Sequence, residues 1–205
     1  RGLGAGRGPV NRAALMDAKQ RALLLNIPQR IDTERMVLRA ARAGDGPEAF
    51  EAVLESVEEL KPWMPWVHPA PTLDGSIEFH AQAEAKWATR DMLDFQWHDR
   101  ASGRLVGKGG FHSIAWDVPK FEIGYWVRSS MAGQGYCTEA VGALVDFARR
   151  ELGANRLEIC SDPRNLRSRK VAERCGFVLE GIHRRNMRDP LGGLRDSCMY
   201  ARVFE

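Results

Sequence analysis

Apolar positions along this chain change period several times, and each change marks an element. Ala49, Phe50, Val53, Leu54 and Val57 recur at spacings of three and four, which predicts an amphipathic helix from about Pro47 to Leu60. Val141, Leu144, Val145, Ala148 and Leu152 repeat that spacing and predict a long helix over 135–152. Between these helices the period drops to two. Phe121, Ile123, Tyr125 and Val127 alternate with Glu122, Gly124 and Trp126, the signature of a strand over 121–128 with two different faces. Shorter runs predict strands at 36–38, 94–98, 105–114 and 156–161, with two more near 177–184 and 195–204. Helices are expected over 73–90, capped by Thr72 or Asp74, over 166–174, and as a short piece within 11–25. Pro62 and Pro65 forbid regular helix between Lys61 and Trp66, so Trp63 and Trp66 stand in a loop.

The resulting order is strand, two helices, three strands, helix, strand, helix, two strands. No repeat interrupts it, and one α+β domain is the simplest reading. Residues 1–15, with glycine at every second position from Gly2 to Gly8, read as a leader outside that domain, which would span 16–205.

Charge narrows the function classes. The chain carries 30 basic and 27 acidic residues, a net +3. Arg1, Arg7 and Arg12 account for all of that excess, so a nucleic-acid role that needs a strongly basic domain loses its support. No run approaches 18 uncharged apolar residues, which argues against a membrane span. The four cysteines form neither a C-x-x-C pair nor a zinc spacing and read as small buried residues of a reducing compartment.

The most informative segment is Ser129–Ala140, SSMAGQGYCTEA. It joins a strand to an amphipathic helix through two glycines. Amides at such a helix start lack internal partners, and the peptide dipoles add positive potential there, so an anionic group is favoured. A Walker loop would need Lys and Ser/Thr directly after Gly135, where Tyr136 and Cys137 stand. The dinucleotide fingerprint fails as well: Thr138 replaces its last glycine, and an antiparallel run precedes the loop. A purely structural glycine turn is the competing reading.

EIGYWV, the loop, and GQGYCTEA, from Glu122 to Ala140, resemble the GNAT superfamily of acetyl-CoA-dependent N-acetyltransferases. The likeness is strongest to the RimJ/RimL branch, which acetylates protein N-termini. NLRSRKVAERCGF at 165–177 resembles that branch's second cofactor segment, and Met199-Tyr200-Ala201-Arg202 is similar to its ending. The resemblance covers about residues 33–204. It implies a mixed, mostly antiparallel sheet of six to seven strands, splayed at the cofactor site and flanked by about four helices. It implies acetyl-CoA as donor, no metal, and direct transfer to a primary amine, the α-amine of a (ribosomal) protein N-terminus. A cytoplasmic enzyme without nucleic-acid or membrane partners follows, with a homodimer left open. Two rivals stand beside it: an N-acetyltransferase of small amines, antibiotics or peptides, and a non-catalytic acyl-CoA-binding regulatory or interaction protein.

The same resemblance implies site residues. Trp126, Val127 and Arg128 would border the pantetheine arm. Met131, Ala132, Gly133, Gln134, Gly135, Tyr136, Cys137 and Thr138 would surround the diphosphate, with Asn165 and Lys170 contributing from the later helix. Ser168 matches the branch's hydroxyl residue and would serve the leaving thiolate; a helix cap is its competing role. Glu122 is the candidate base, against an ordinary solvated strand residue. RimL-type enzymes carry a glutamate where Met187 stands here, leaving Asp189 and Glu180 as nearby substitutes. Trp63, Trp66 and His112 would border the acceptor. The loop departs from the branch at Ser130, usually a longer polar or basic residue, and Arg128 is the nearest cation that could compensate.

Overall fold

The structure, a computed structural model, describes residues 16–190 and 192–205. The expected leader and the first part of the 11–25 helix lie outside the described residues. Eight strands form one sheet: β1 (Arg30–Asp32), β2 (Met36–Ala40), β3 (Leu93–Asp99), β4 (Leu105–Ala115), β5 (Lys120–Val127), β6 (Arg156–Ser161), β7 (Val178–Arg188) and β8 (Leu194–Val203). Their order is β1-β2-β3-β4-β5-β6-β8-β7. Every neighbouring pair is antiparallel except β5 with β6. Six helices accompany the sheet: α1 (Ala18–Leu23), α2 (Gly46–Glu55), α3 (Val57–Leu60), α4 (Leu73–Thr89), α5 (Tyr136–Glu151) and α6 (Leu166–Arg174).

Alternation along the strands separates two faces. Phe121 and Ile123 of β5 join Met36, Leu38, Phe95 and Phe111 against the apolar stripe of α5. Phe147 of α5 meets Phe95 edge-on and stacks on Phe111, which makes this the main core. Trp126 turns the other way, into a smaller cluster with Ala49 and Val53 of α2, Leu60 and Val67. Thr72 caps α4 by accepting from the Gly75 N–H, as one of the two expected candidates.

Two features exceed the sequence reading. The three-residue β1 was not expected, because the alternation of Arg-Ile-Asp is too short to stand out as a strand. The helix expected over 47–60 divides at Ser56, whose backbone leaves helical geometry (φ −111°, ψ 6°). Its fully buried hydroxyl donates to the Ala52 carbonyl at 2.7 Å and accepts from the Ser129 N–H at 3.0 Å. Sheet and helix counts therefore run above the expected six to seven and four.

The feature that positions the site is where β5 and β6 part. Their parallel register runs only from Lys120↔Arg156 to Glu122↔Glu158, yet β5 continues to Val127 and β6 to Ser161. Beyond Glu122 the two strands diverge, leaving main-chain groups on each side without a ladder partner.

Candidate active site

At the loop end of β5, a 3-10 turn at Ser129–Met131 leads through two left-handed glycines, Gly133 (φ +77°) and Gly135 (φ +84°), into α5. Gly135 is the N-cap residue and no side chain caps the helix. The amides of Tyr136, Cys137 and Thr138 thus lack intrahelical acceptors. Gly133, Gln134 and Gly135 are exposed, and nothing would meet a Cβ at Gly133 within 4 Å. This is a main-chain cradle suited to an anionic diphosphate.

Side chains around the cradle are engaged elsewhere, which leaves its main-chain amides to face an anion. Arg128 is 5% exposed, with Nε 2.6 Å from Glu55 and Nη2 2.7 Å from Glu51 of α2. Its charge is spent there, so it does not compensate for Ser130. Gln134 donates to the Ser130 carbonyl. The Tyr136 hydroxyl donates to Asp99 at 2.9 Å while Arg35 lies over its ring. Burial pushes the Cys137 thiol up to about 12, and this half-buried residue packs on the core. Thr138 spends its carbonyl on the Cys175 thiol. Met131 packs on the core, Ala132 is half-buried, and Lys170 is exposed on α6. From outside, Arg35 braces the helix start, donating to the Gln134 carbonyl and to Glu139.

Glu55 has a measurable role in this bracing. The hydroxyl and N–H of Ser130, with Arg128, hold its carboxyl down to about 2, below the ordinary glutamate value of ~4.3. A depressed carboxyl stabilises the fold above its unfolded value and loses that contribution as pH falls through the folded one. Urea midpoints of wild type and Glu55→Gln are therefore expected to differ steadily from pH 5 to 7. The gap should close between about pH 4.3 and about pH 2. A gap that stays constant over that window would show the bond network to be energetically idle.

Along the gap, alternation decides which backbone groups are available. The Arg128 N–H donates to the Val106 carbonyl at 2.8 Å. The antiparallel ladder therefore turns the groups of Trp126 and Gly124 toward β4, and those of Val127 and Tyr125 toward the gap. Of the three residues expected to border the pantetheine arm, Val127 presents its main chain there. Trp126 and Arg128 do not, whereas Tyr125 also turns its main chain to the gap. Trp126 instead walls the cavity beside Trp66, ring centroids 6.3 Å apart.

Beyond the gap, Asn165 rather than Ser168 caps α6, its Oδ1 accepting from the Ser168 N–H at 3.1 Å. Ser168 Oγ instead lies 3.0 Å from the Tyr125 hydroxyl, which also reaches the Ser168 carbonyl at 3.1 Å. Burial raises the Tyr125 phenol well above the usual tyrosine range, so it stays protonated. Tyr125 was missed in the sequence because it sits in the apolar phase of β5, and no spacing ties it to Ser168.

A cavity of about 700 Å³ opens on this gap from the α2 and α4 side. Trp63, Trp66, His112, Glu122, Trp126, Asn165 and Ser168 all line it, so the candidate acceptor residues and both candidate catalytic residues are brought together. Residues without a sequence signal join them. Lys108 lies 2.8 Å from Asp94 and 3.5 Å from the Phe79 ring centre. Arg195 donates to the Trp63 carbonyl. Met187 lines the wall with Sδ 3.8 Å from Cys160 Sγ, so no carboxylate stands at that place. The two expected substitutes are taken by arginines, Glu180 by Arg156 and Asp189 by Arg164. Among the described residues no cluster of three His, Cys, Asp or Glu could hold a metal, and no helix is long and apolar enough to cross a membrane.

A splayed parallel pair, a glycine cradle at the following helix and a cavity meeting at the gap form one arrangement, and the family description "Acetyltransferase (GNAT) domain" matches residues 35–178. The chain belongs to the GNAT acetyltransferase family. This GNAT acetyltransferase is 46% identical over 118 residues to the "Probable N-acetyltransferase YjcK" of Bacillus subtilis (strain 168), covering 57% of this chain and 65% of that one. It is 26% identical over 166 residues to the alanine N-acetyltransferase of ribosomal protein uS5 from Escherichia coli (strain K12), covering 76% and 82%. A solved structure of RimL, described as a ribosomal L7/L12 α-N-protein acetyltransferase in complex with coenzyme A, superposes with TM-score 0.79 at 24% identity. That superposition covers 87% of this chain and 97% of RimL, and is a likeness of fold.

Proposed function

We propose that this acetyltransferase moves an acetyl group from acetyl-CoA to the α-amine of a protein N-terminus, with a ribosomal protein as the acceptor class. The observation that carries the reading is the parting of β5 and β6 at Glu122↔Glu158, which opens on both the glycine cradle and the cavity. The cradle amides of 136–138 suit a diphosphate, and the gap-facing groups of Tyr125 and Val127 suit an extended arm with amides of its own. Acetyl-CoA would supply an activated acyl group and a thiol leaving group.

The chain's own groups divide the remaining work. The Val127 N–H faces the gap as a donor that can polarise a carbonyl held there. Ser168 Oγ, backed by the protonated Tyr125, is placed to give a proton or hydrogen bond to a departing thiolate. Glu122 stands on the cavity face of the gap, on the side from which an amine would come.

Two features support an N-terminal amine over the alternatives. Asp94 and Asp162, the cavity's other acids, are paired with Lys108 and Arg164, which leaves no concentrated negative charge for a polyamine. An α-amine titrates near ~7.7–8.0 and a lysine near ~10.4, so modest base strength suits the former. The relatives that act on ribosomal proteins lend the acceptor class. Mass spectrometry after incubation with acetyl-CoA tests it on three sets: peptides with free N-termini, N-blocked lysine peptides, and small amines. Acetylation confined to free N-termini is expected. Modification of small amines alone would replace this acceptor, and coenzyme binding with no acetylation of any set would favour the binding-protein rival.

A further inference from the structure

Resting on the acetyl-transfer reading above, we infer that His112 Nε2 takes the proton from the acceptor amine, with Glu122 as the positioning residue behind the ring. His112 and Glu122 are register partners across β4 and β5, so their side chains share the cavity face. Both line the cavity.

Two backbone features set the ring. Gly124 lies two residues beyond the last β5–β6 pair, and a Cβ there would fall 2.6 Å from His112 Nε2 and 3.0 Å from Cδ2. The imidazole occupies the place a side chain at 124 would fill, which puts Nε2 over the edge of the gap. On the other side of the ring, β4 is irregular between His112 and Ala115, and Ser113 adopts φ +48°. Its Oγ then lies 3.2 Å from His112 Nδ1, with Glu122 Oε2 3.9 Å from the same nitrogen.

The Glu122 carboxylate, which can only accept, favours the tautomer with hydrogen on Nδ1, and the Ser113 hydroxyl can accept from that tautomer. The lone pair is then on Nε2, at the gap. Other titratable groups on this face are engaged: His80 between the Ser76 carbonyl and Gln96, Asp94 with Lys108, Asp162 with Arg164, Arg195 with the Trp63 carbonyl, and Cys160 beside Met187. The Tyr125 side chain leaves β5 on the side opposite the His112 ring, while Ser168 reaches the shared cavity from α6.

Two measurements on the full chain test this. Nitrogen-15 spectra of histidine-labelled protein should show neutral His112 with hydrogen on Nδ1, and Glu122→Gln should shift the population toward Nε2–H. Kinetics with acetyl-CoA and the free-N-terminus peptide that wild type acetylates best should show His112→Ala losing ~10²-fold in kcat. Added imidazole should restore part of that loss. The acidic limb of kcat/KM should vanish in His112→Ala, while the coenzyme-induced rise in Tm stays intact. An Nε2–H tautomer in wild type overturns the inference. So does a His112→Ala enzyme within threefold of wild type, or one that keeps the acidic limb while Glu122→Gln loses it. Absence of a coenzyme-induced rise in wild type would strike down the acetyl-transfer reading itself, a separate failure.

Discussion

Gly135→Val is expected to abolish coenzyme A binding while leaving a folded protein. Gly135 is the N-cap of α5 at φ +84°, where a β-branched residue is a steric outlier and costs about 1–2 kcal/mol. A Cβ there would also come within 3.4 Å of Arg35 Nη2, the group bracing the turn. Relief of that strain must rotate the amides of 136–138, the main-chain donors of the cradle. In wild type, coenzyme at 100 times its Kd adds ~2.7 kcal/mol, which for a domain of this size is roughly 5–11 °C in Tm. That rise should be absent in Gly135→Val. Gly153→Val is the control, because Gly153 carries a similar left-handed φ of +62° with nothing within 4 Å of its Cβ position, beyond the far end of α5. It should lower Tm by a comparable amount yet keep the full coenzyme-induced rise. A Gly135→Val protein that keeps the rise would remove the cradle as the anion site.

Ser168→Ala is expected to lower kcat by ~10²-fold, the lower range for a lost proton donor, with the coenzyme-induced rise in Tm unchanged. The variant separates chemistry from structure because Asn165, not Ser168, caps α6. The Tyr125 hydroxyl also keeps a partner in the main-chain carbonyl of residue 168 at 3.1 Å, so no buried phenol is orphaned. Tyr125→Phe should show a smaller fall in kcat, since Ser168 remains but loses the donor behind it. The double variant should fall little below Ser168→Ala, as expected for two groups acting in one chain. Stopped turnover measured with saturating acetyl-CoA and peptide reads all three. Ser168→Ala within twofold of wild type would leave the hydroxyl without a part in the reaction.

Much of this site was legible before any coordinates. The switch from period two to period 3.6 around Ser129–Gly135 located a strand, a turn and a helix, and all three are present. Two glycines marked that turn in the sequence, and both adopt left-handed backbone. Ser168 and Glu122 both line the cavity. What stayed hidden was the direction of side chains. Arg128 read as a cation near the loop, yet two glutamates more than seventy residues earlier turn it into the protein. Tyr125 read as core, yet its hydroxyl meets Ser168 across the gap. Residues such as Lys108, Asp94 and Arg195 carry no local pattern, because they meet their partners only across paired strands or between the sheet and a loop.

The chain by itself determined its elements, their order and the glycine loop, because these rest on local sterics and on apolar periodicities that act over a few residues. Tertiary structure alone decided where β5 and β6 separate, which carboxylates are already paired, and that the His112 ring fills the space Gly124 leaves empty. Those outcomes depend on how side chains of neighbouring strands and helices pack and pair once the sheet is assembled, which local sterics and apolar periodicity do not fix.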